Sequence, residues 1–127
     1  MNNRRSFIVG IKSLKLSSRE KLFLRRYKPW GVILFTRNIK NIKQTLKLTT
    51  SIRKIFKDKK YPILIDQEGG RVNRLKNIIS FDNLTSEYFG RKFVKNYKEF
   101  NIYYKLFVDK TSYLLKLIGV NINTSPV

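Results

Sequence analysis

The stretch YPILIDQEGGRVNRL, residues 61–75, sets the apolar run Ile63–Ile65 directly against Asp66, Gln67 and Glu68, then two glycines, then Arg71 and Arg74. The chain has only 8 acidic residues against 28 basic ones, so two acids within three positions require a reason. The run itself is short, β-branched and does not alternate with polar residues, which is the signature of a strand covered on both faces in a parallel sheet. Working outward, the same kind of run recurs at Phe7–Val9 and Val32–Phe35, and a weaker one at Val120–Ile122 is interrupted by Asn121. Helical patterns separate them. The order is therefore β-α-β-α-β, helix, β, and the expected fold class is α/β with a parallel sheet of about four strands.

The helices carry start and stop signals that agree. Ser17 and Glu20 have capping-box spacing ahead of Leu22, Phe23 and Leu24, and Pro29 closes that segment. Asn41 and Gln44 repeat the arrangement, after which Leu48, Ile52, Ile55 and Phe56 form one apolar stripe. In the third and longest helix Phe100, Tyr103, Phe107, Leu114, Leu115 and Ile118 share a face, expected to be core, and Gly119 stands where a left-handed cap residue is wanted. From Leu75 to Lys92 the periodicity is weak and Gly90 intervenes, so a long loop with one helical turn near Thr85–Tyr88 is expected.

The 127 residues are one domain's worth of chain, and no cysteine is present, which excludes disulfide staples and thiolate chemistry. The apolar patch FIVGI at 7–11 is too short for a secretory or membrane-spanning segment, so a soluble, cytoplasmic chain with no membrane partner is expected. A net charge of +20 raises nucleic acid as a partner, since Lys and Arg displace counterions from phosphates. The basic residues are spread through every segment of a Lys-, Asn- and Ile-rich chain and form no single block, which makes nucleic acid an unlikely partner and compositional bias the stronger explanation.

In parallel α/β folds the carboxyl ends of the strands carry the ligand site, and Asp66 stands at such an end. Its carboxylate can accept charge-assisted hydrogen bonds from the adjacent hydroxyls of a sugar. Gly69 and Gly70 allow a tight turn close to a ligand, and of the two arginines Arg74 is the better placed to complement Asp66. The stretch has neither phosphate-loop nor dinucleotide-binding glycine spacing. With no histidine or cysteine a metal site would need oxygen ligands for Mg²⁺ or Ca²⁺, so no metal and no cofactor are expected. A purely structural reading stays open at this point, in which Asp66 caps backbone amides and the arginines are solvated.

The segments GVILFTRNI at 31–39 and ILIDQEGGRVNRL at 63–75, followed by LIGVNINTSPV at 117–127, together resemble the N-terminal barrel domain of glycoside hydrolase family 3, of the bacterial β-N-acetylhexosaminidase type. The resemblance implies a TIM-type (β/α)8 barrel of which residues 1–127 are an incomplete N-terminal portion holding about the first four strands. It further implies retaining hydrolysis of terminal β-N-acetylglucosamine from glycosides such as muropeptide fragments, during peptidoglycan recycling. On this reading Asp66 and Arg74 contact the N-acetylglucosamine, and Glu68, Gly69 and Gly70 shape the loop beside it. Arg37 and Asn38 support the barrel mouth. The family's aspartate nucleophile and histidine acid/base belong to later segments, so residues 1–127 contain no catalytic group and are expected to be inactive alone. The alternatives are a non-catalytic sugar-binding remnant and a basic nucleic-acid binder, and a complementary C-terminal chain is a candidate partner. An unclosed barrel leaves strand edges open, so the isolated chain is expected to be marginally stable or partner-dependent.

Overall fold

The computed structural model describes residues 3–125. Along the chain they form β1 (Arg5–Gly10), α1 (Ser18–Tyr27), β2 (Pro29–Leu34), a 3-10 turn (Thr36–Asn38), α2 (Ile42–Phe56), β3 (Ile63–Ile65), α3 (Ser86–Lys95), α4 (Tyr97–Leu117) and β4 (Ile122–Asn123). The strands make one sheet in the order β1-β2-β3-β4, and every pair is parallel. Sequence order equals spatial order, so the sheet winds one way without a reversal, as in a (β/α)8 barrel and unlike a doubly wound sheet. The expected parallel α/β fold is what the structure shows.

Local chemistry explains where the helices begin and end. The Ser17 hydroxyl accepts from the Glu20 amide at 3.2 Å while the Glu20 carboxylate accepts from the Ser17 amide at 2.8 Å, the reciprocal cap expected from the spacing. At α2 the Asn41 side chain accepts from the Gln44 amide, but the Gln44 side chain reaches one residue further back, to the amide of Lys40. Gly119 has φ +76°, and the bonds from Val120 N–H to Leu115 O and from Gly119 N–H to Lys116 O close α4 in a Schellman motif.

Registered neighbours in a parallel sheet share a face, which divides the sheet in two. Val9, Val32 and Ile63 lie in one register row, and Leu34 and Ile65 in the next on the same face, packing against Leu24, Leu48, Ile52, Leu114 and Ile118 of the helices. The opposite face carries the row Gly10, Ile33, Leu64 and Ile122, on which only Leu64 is buried. The apolar strand pattern therefore overstated the burial of β1, whose residues are half-buried or exposed, with Ile8 at 45 %. As an edge strand with one face uncovered among the described residues, β1 carries in Phe7–Val9 the apolar run of a central strand without its surroundings.

Two further expectations are corrected. The turn near Thr85–Tyr88 is the first turn of the full helix α3, with Thr85 as its N-cap, and only Leu75–Thr85 remains loop. The aromatic stripe of α4 divides: Leu114, Leu115 and Ile118 reach the core, while Tyr103 is 44 % exposed and Phe107 is half-buried. What holds the N-terminal half of α4 is α3, through Phe89, whose ring stands 5.0 Å from that of Tyr104 and 5.2 Å from that of Phe107. Gly90 did not stop α3 because this aromatic packing outweighs the roughly 1 kcal/mol that a helical glycine costs.

Candidate functional site

Asp66 is the first residue after β3, at the carboxyl end of the sheet. Its neighbour across the edge is Thr124, whose backbone amide donates to Ile65 O at 2.8 Å. The Thr124 hydroxyl lies between the same carbonyl and Asp66 Oδ1. Because that carbonyl already receives an amide, the single hydroxyl proton is better used on the carboxylate, where the bond is charge-assisted. Asp66 Oδ2 faces Arg74 Nη2 at 3.9 Å, the outer limit of a direct ion pair, and both side chains keep more than a quarter of their surface exposed. The two groups named from the sequence are thus side by side and open to solvent. The carboxylate of Asp66 accepts from no backbone amide among the described residues, which removes the purely structural capping role.

Arg74 is placed by more than Asp66. Its guanidinium lies 5.5 Å from the centroid of the Phe35 ring, and that of Arg37 lies 4.5 Å from the same ring. One aromatic side chain at the end of β2 therefore supports two cations by cation–π attraction. The Arg74 Nε is buried without a hydrogen-bond partner among the described residues. Arg37 also donates through Nε to Ile11 O at 3.0 Å, and the fully buried Asn38 donates to Ile11 O and Ser13 O while accepting from the Phe35 amide at 2.9 Å. This pair ties the β1–α1 loop to the end of β2.

The two glycines turn the loop at positive φ. Gly69 has φ +96°, and a Cβ there would stand 2.2 Å from Leu84 O; at Gly70, with φ +57°, it would meet the Thr85 methyl at 2.8 Å. The space they keep free is filled by residues 81–85, not by an approach path for a ligand. Gly70 N–H donates to Phe81 O, and Glu68 N–H to Val72 O across the tight turn. Within the same loop, hydrogen bonds from Asn73 and Ser80 hold the Asp82 carboxyl below the usual range. Glu68 is half-buried and its carboxylate has no hydrogen-bond or ion-pair partner among the described residues, and Arg71 is exposed. No cluster of three His, Cys, Asp or Glu residues forms among the described residues.

Three residues that sequence reasoning passed over fix the site. Asn123 accepts from Gln67 N–H at 2.9 Å and donates to Gln67 O at 3.0 Å, so one side chain pairs both backbone groups of the residue next to Asp66. Gln67 in turn accepts from Leu75 N–H at 3.0 Å, holding the far end of the loop. Asn121 performs the matching task at the other end of β3, accepting from Ile63 N–H and donating to Lys60 O and Tyr61 O. Asn121 read as an interruption of a strand is one half of a clamp. The sequence shows two asparagines two positions apart, on the same side of an extended chain, which does not by itself tell a clamp from an interruption.

No protein-family model matches the chain. A beta-hexosaminidase of Alkalilimnicola ehrlichii is 39 % identical over 71 residues, covering 54 % of this chain and 20 % of that protein. Among solved structures, NagZ from Neisseria gonorrhoeae in complex with N-trifluoroacetyl-D-glucosamine superposes with a TM-score of 0.52 at 35 % identity, over 60 % of this chain and 22 % of its own. A glycoside hydrolase family 3 beta-N-acetylglucosaminidase from Paenibacillus gives 0.53 at 29 % identity, over 59 % and 15 %. The chain spans about a fifth of the length of the curated relatives it matches. Sequence and fold agree: this chain resembles the N-terminal part of glycoside hydrolase family 3 barrels of the β-N-acetylhexosaminidase type.

Proposed function

We propose that residues 1–127 are an incomplete N-terminal portion of such a catalytic barrel and supply the sugar-binding strand end of a retaining β-N-acetylhexosaminidase. The substrate class is a glycoside with a terminal β-N-acetylglucosamine, such as a muropeptide fragment of peptidoglycan recycled in the cytoplasm. Asp66 and Arg74 hold the N-acetylglucosamine: the carboxylate accepts from sugar hydroxyls, and the guanidinium donates to a sugar oxygen. The observation that carries this reading is the open Asp66–Arg74 pair at the end of β3, held by Thr124 on one side and Phe35 on the other. Glu68, Gly69 and Gly70 act on the sugar only through the shape of the loop.

Retaining hydrolysis needs a nucleophile and a group that serves as acid and then base on opposite sides of the scissile bond. The sequence has no histidine, and no second carboxylate is bonded into the Asp66–Arg74 pair among the described residues. Cleavage therefore requires groups outside residues 1–127, which a complementary chain bearing both can supply in a test. Mixed with such a chain, the protein should release the chromophore from a nitrophenyl N-acetylglucosaminide, and Asp66→Ala should abolish release; an inactive mixture of two folded chains counts against the barrel reading. Alone, the chain should bind N-acetylglucosamine more weakly than about 1 mM, since one wall of a pocket buries little of a ligand. Loss of amide shift changes in Asp66→Ala, followed by NMR titration, checks that contact separately.

A further inference from the structure

A second concavity lies away from the strand end. A groove of about 860 Å³ runs between the β1–α1 loop, the first turn of α1 and the N-terminal half of α2, and neither Asp66 nor Arg74 lines it. Its floor is apolar: Leu16 and Leu48 are buried, and Leu14, Ile42 and Ile78 are half-buried. Its rim carries Lys15, Lys21, Lys43 and Lys47, and no acidic side chain lines it at all. Apolar cavities of about 300–1,000 Å³ with a few convergent polar groups are what small-molecule sites look like.

We propose that this groove binds an amphipathic anion, with an alkyl body on the leucine and isoleucine floor and a carboxylate or phosphate head among the four lysines. Three observations converge on that ligand. The lining has one sign of charge only, so a neutral or cationic amphiphile gains nothing from the rim. The residues Ile42 and Lys43 belong to the first turn of the 15-residue helix α2, whose positive dipole end adds to the lysine field. The four lysines belong to a chain that already carries +20, so a bound anion offsets part of that self-repulsion. The site is independent of the sugar-binding reading.

The test is calorimetric titration of the full chain with dodecanoate below its micelle concentration, and with dodecanol as the uncharged analogue. One dodecanoate per chain is expected, with dodecanol bound at least 10-fold more weakly. In Lys43→Glu/Lys47→Glu dodecanoate affinity should fall at least 10-fold, while Lys59→Glu/Lys110→Glu, which changes net charge equally away from the groove, should leave it unchanged. Equal binding of the two ligands, no heat with dodecanoate, or equal losses in both double variants would overturn the proposal. If circular dichroism shows the groove variant misfolded, the dodecanoate–dodecanol ratio on the parent chain decides.

Discussion

β1 and β3 lie in the same parallel sheet with only β2 between them, yet they are held in opposite ways. β3 is three residues long and wholly buried, with a strand on each side and an asparagine clamp at each end. β1 is twice as long, pairs with β2 alone among the described residues, and exposes Ile8. Each contains a run of three apolar residues, Phe7–Val9 and Ile63–Ile65, and that run does not distinguish them. What does is the number of sides on which each has a partner, and the candidate site is carried by the strand that has them all.

The widest difference should appear when the same truncation is made in each strand. Ile63 is fully buried, so Ile63→Ala should cost about 3–4 kcal/mol through lost transfer energy and a cavity. Ile8→Ala should cost less than about 1 kcal/mol, because nearly half of that side chain already meets water. Urea denaturation of both variants measures the gap, and comparable losses would show that the inner face of the sheet is covered in solution.

Next in size is a pair of glycines. Gly69→Ala must place a Cβ within 2.2 Å of a backbone carbonyl at φ +96°, so the 66–75 loop has to leave residues 81–85, at a cost of about 3 kcal/mol. The identical change at Gly90 meets nothing within 4 Å and lies inside α3, where alanine should stabilise by about 0.5–1 kcal/mol. Opposite signs in the two thermal midpoints are the expected result. Destabilisation at both positions would mean that α3 is not helical through Gly90.

This contrast also marks how far the sequence could be read. β3, the parallel α/β class, the Ser17–Glu20 cap and the left-handed Gly119 follow from patterns along the chain, and all are present. So is the neighbourhood of Asp66 and Arg74, which lie eight positions apart on a single loop. The burial of β1, the length of α3 and the exposure of Tyr103 were not legible, since each depends on which distant element arrives to cover it. The same holds for Asn123, 56 positions from Gln67: nothing local tells a side chain that pairs a strand end from one that interrupts a strand.

Asn123→Ala sharpens that point. It leaves the amide and carbonyl of Gln67 without their side-chain partner, in a residue only 2 % exposed, and should cost about 1–2 kcal/mol. Because Asp66 is the preceding residue, the variant should also raise the hydrogen-exchange rate of the Gln67 amide and weaken sugar binding without changing the charge of the site. Unchanged exchange at Gln67 would show that β4 pairing alone fixes the strand end.

The smallest effect separates the two regions by pH. The clamps on β3 are neutral amides, but the loop after β1 is held by a carboxylate: Glu20 accepts from Lys12 N–H at 2.8 Å and from Ser17. Partial burial opposes ionisation of Glu20, yet the Lys12 and Ser17 amides, the Ser17 hydroxyl and the Lys12 charge prevail and set its pKa below the ordinary 4.5. A depressed carboxylate stabilises the fold above its unfolded pKa, and that contribution is lost as pH falls through the folded value. For a largely solvated group it amounts to about 0.5 kcal/mol. On acidification the amide resonances of Lys12 and Ser17 should shift first, while those of Ile63 and Asn121 hold their positions. Glu20→Gln should remove the early shift, because the amide that replaces the carboxylate does not titrate. Simultaneous movement of both sets would mean that β1 and β3 loosen as one unit, and that the open edge is coupled to the site more tightly than its exposure suggests.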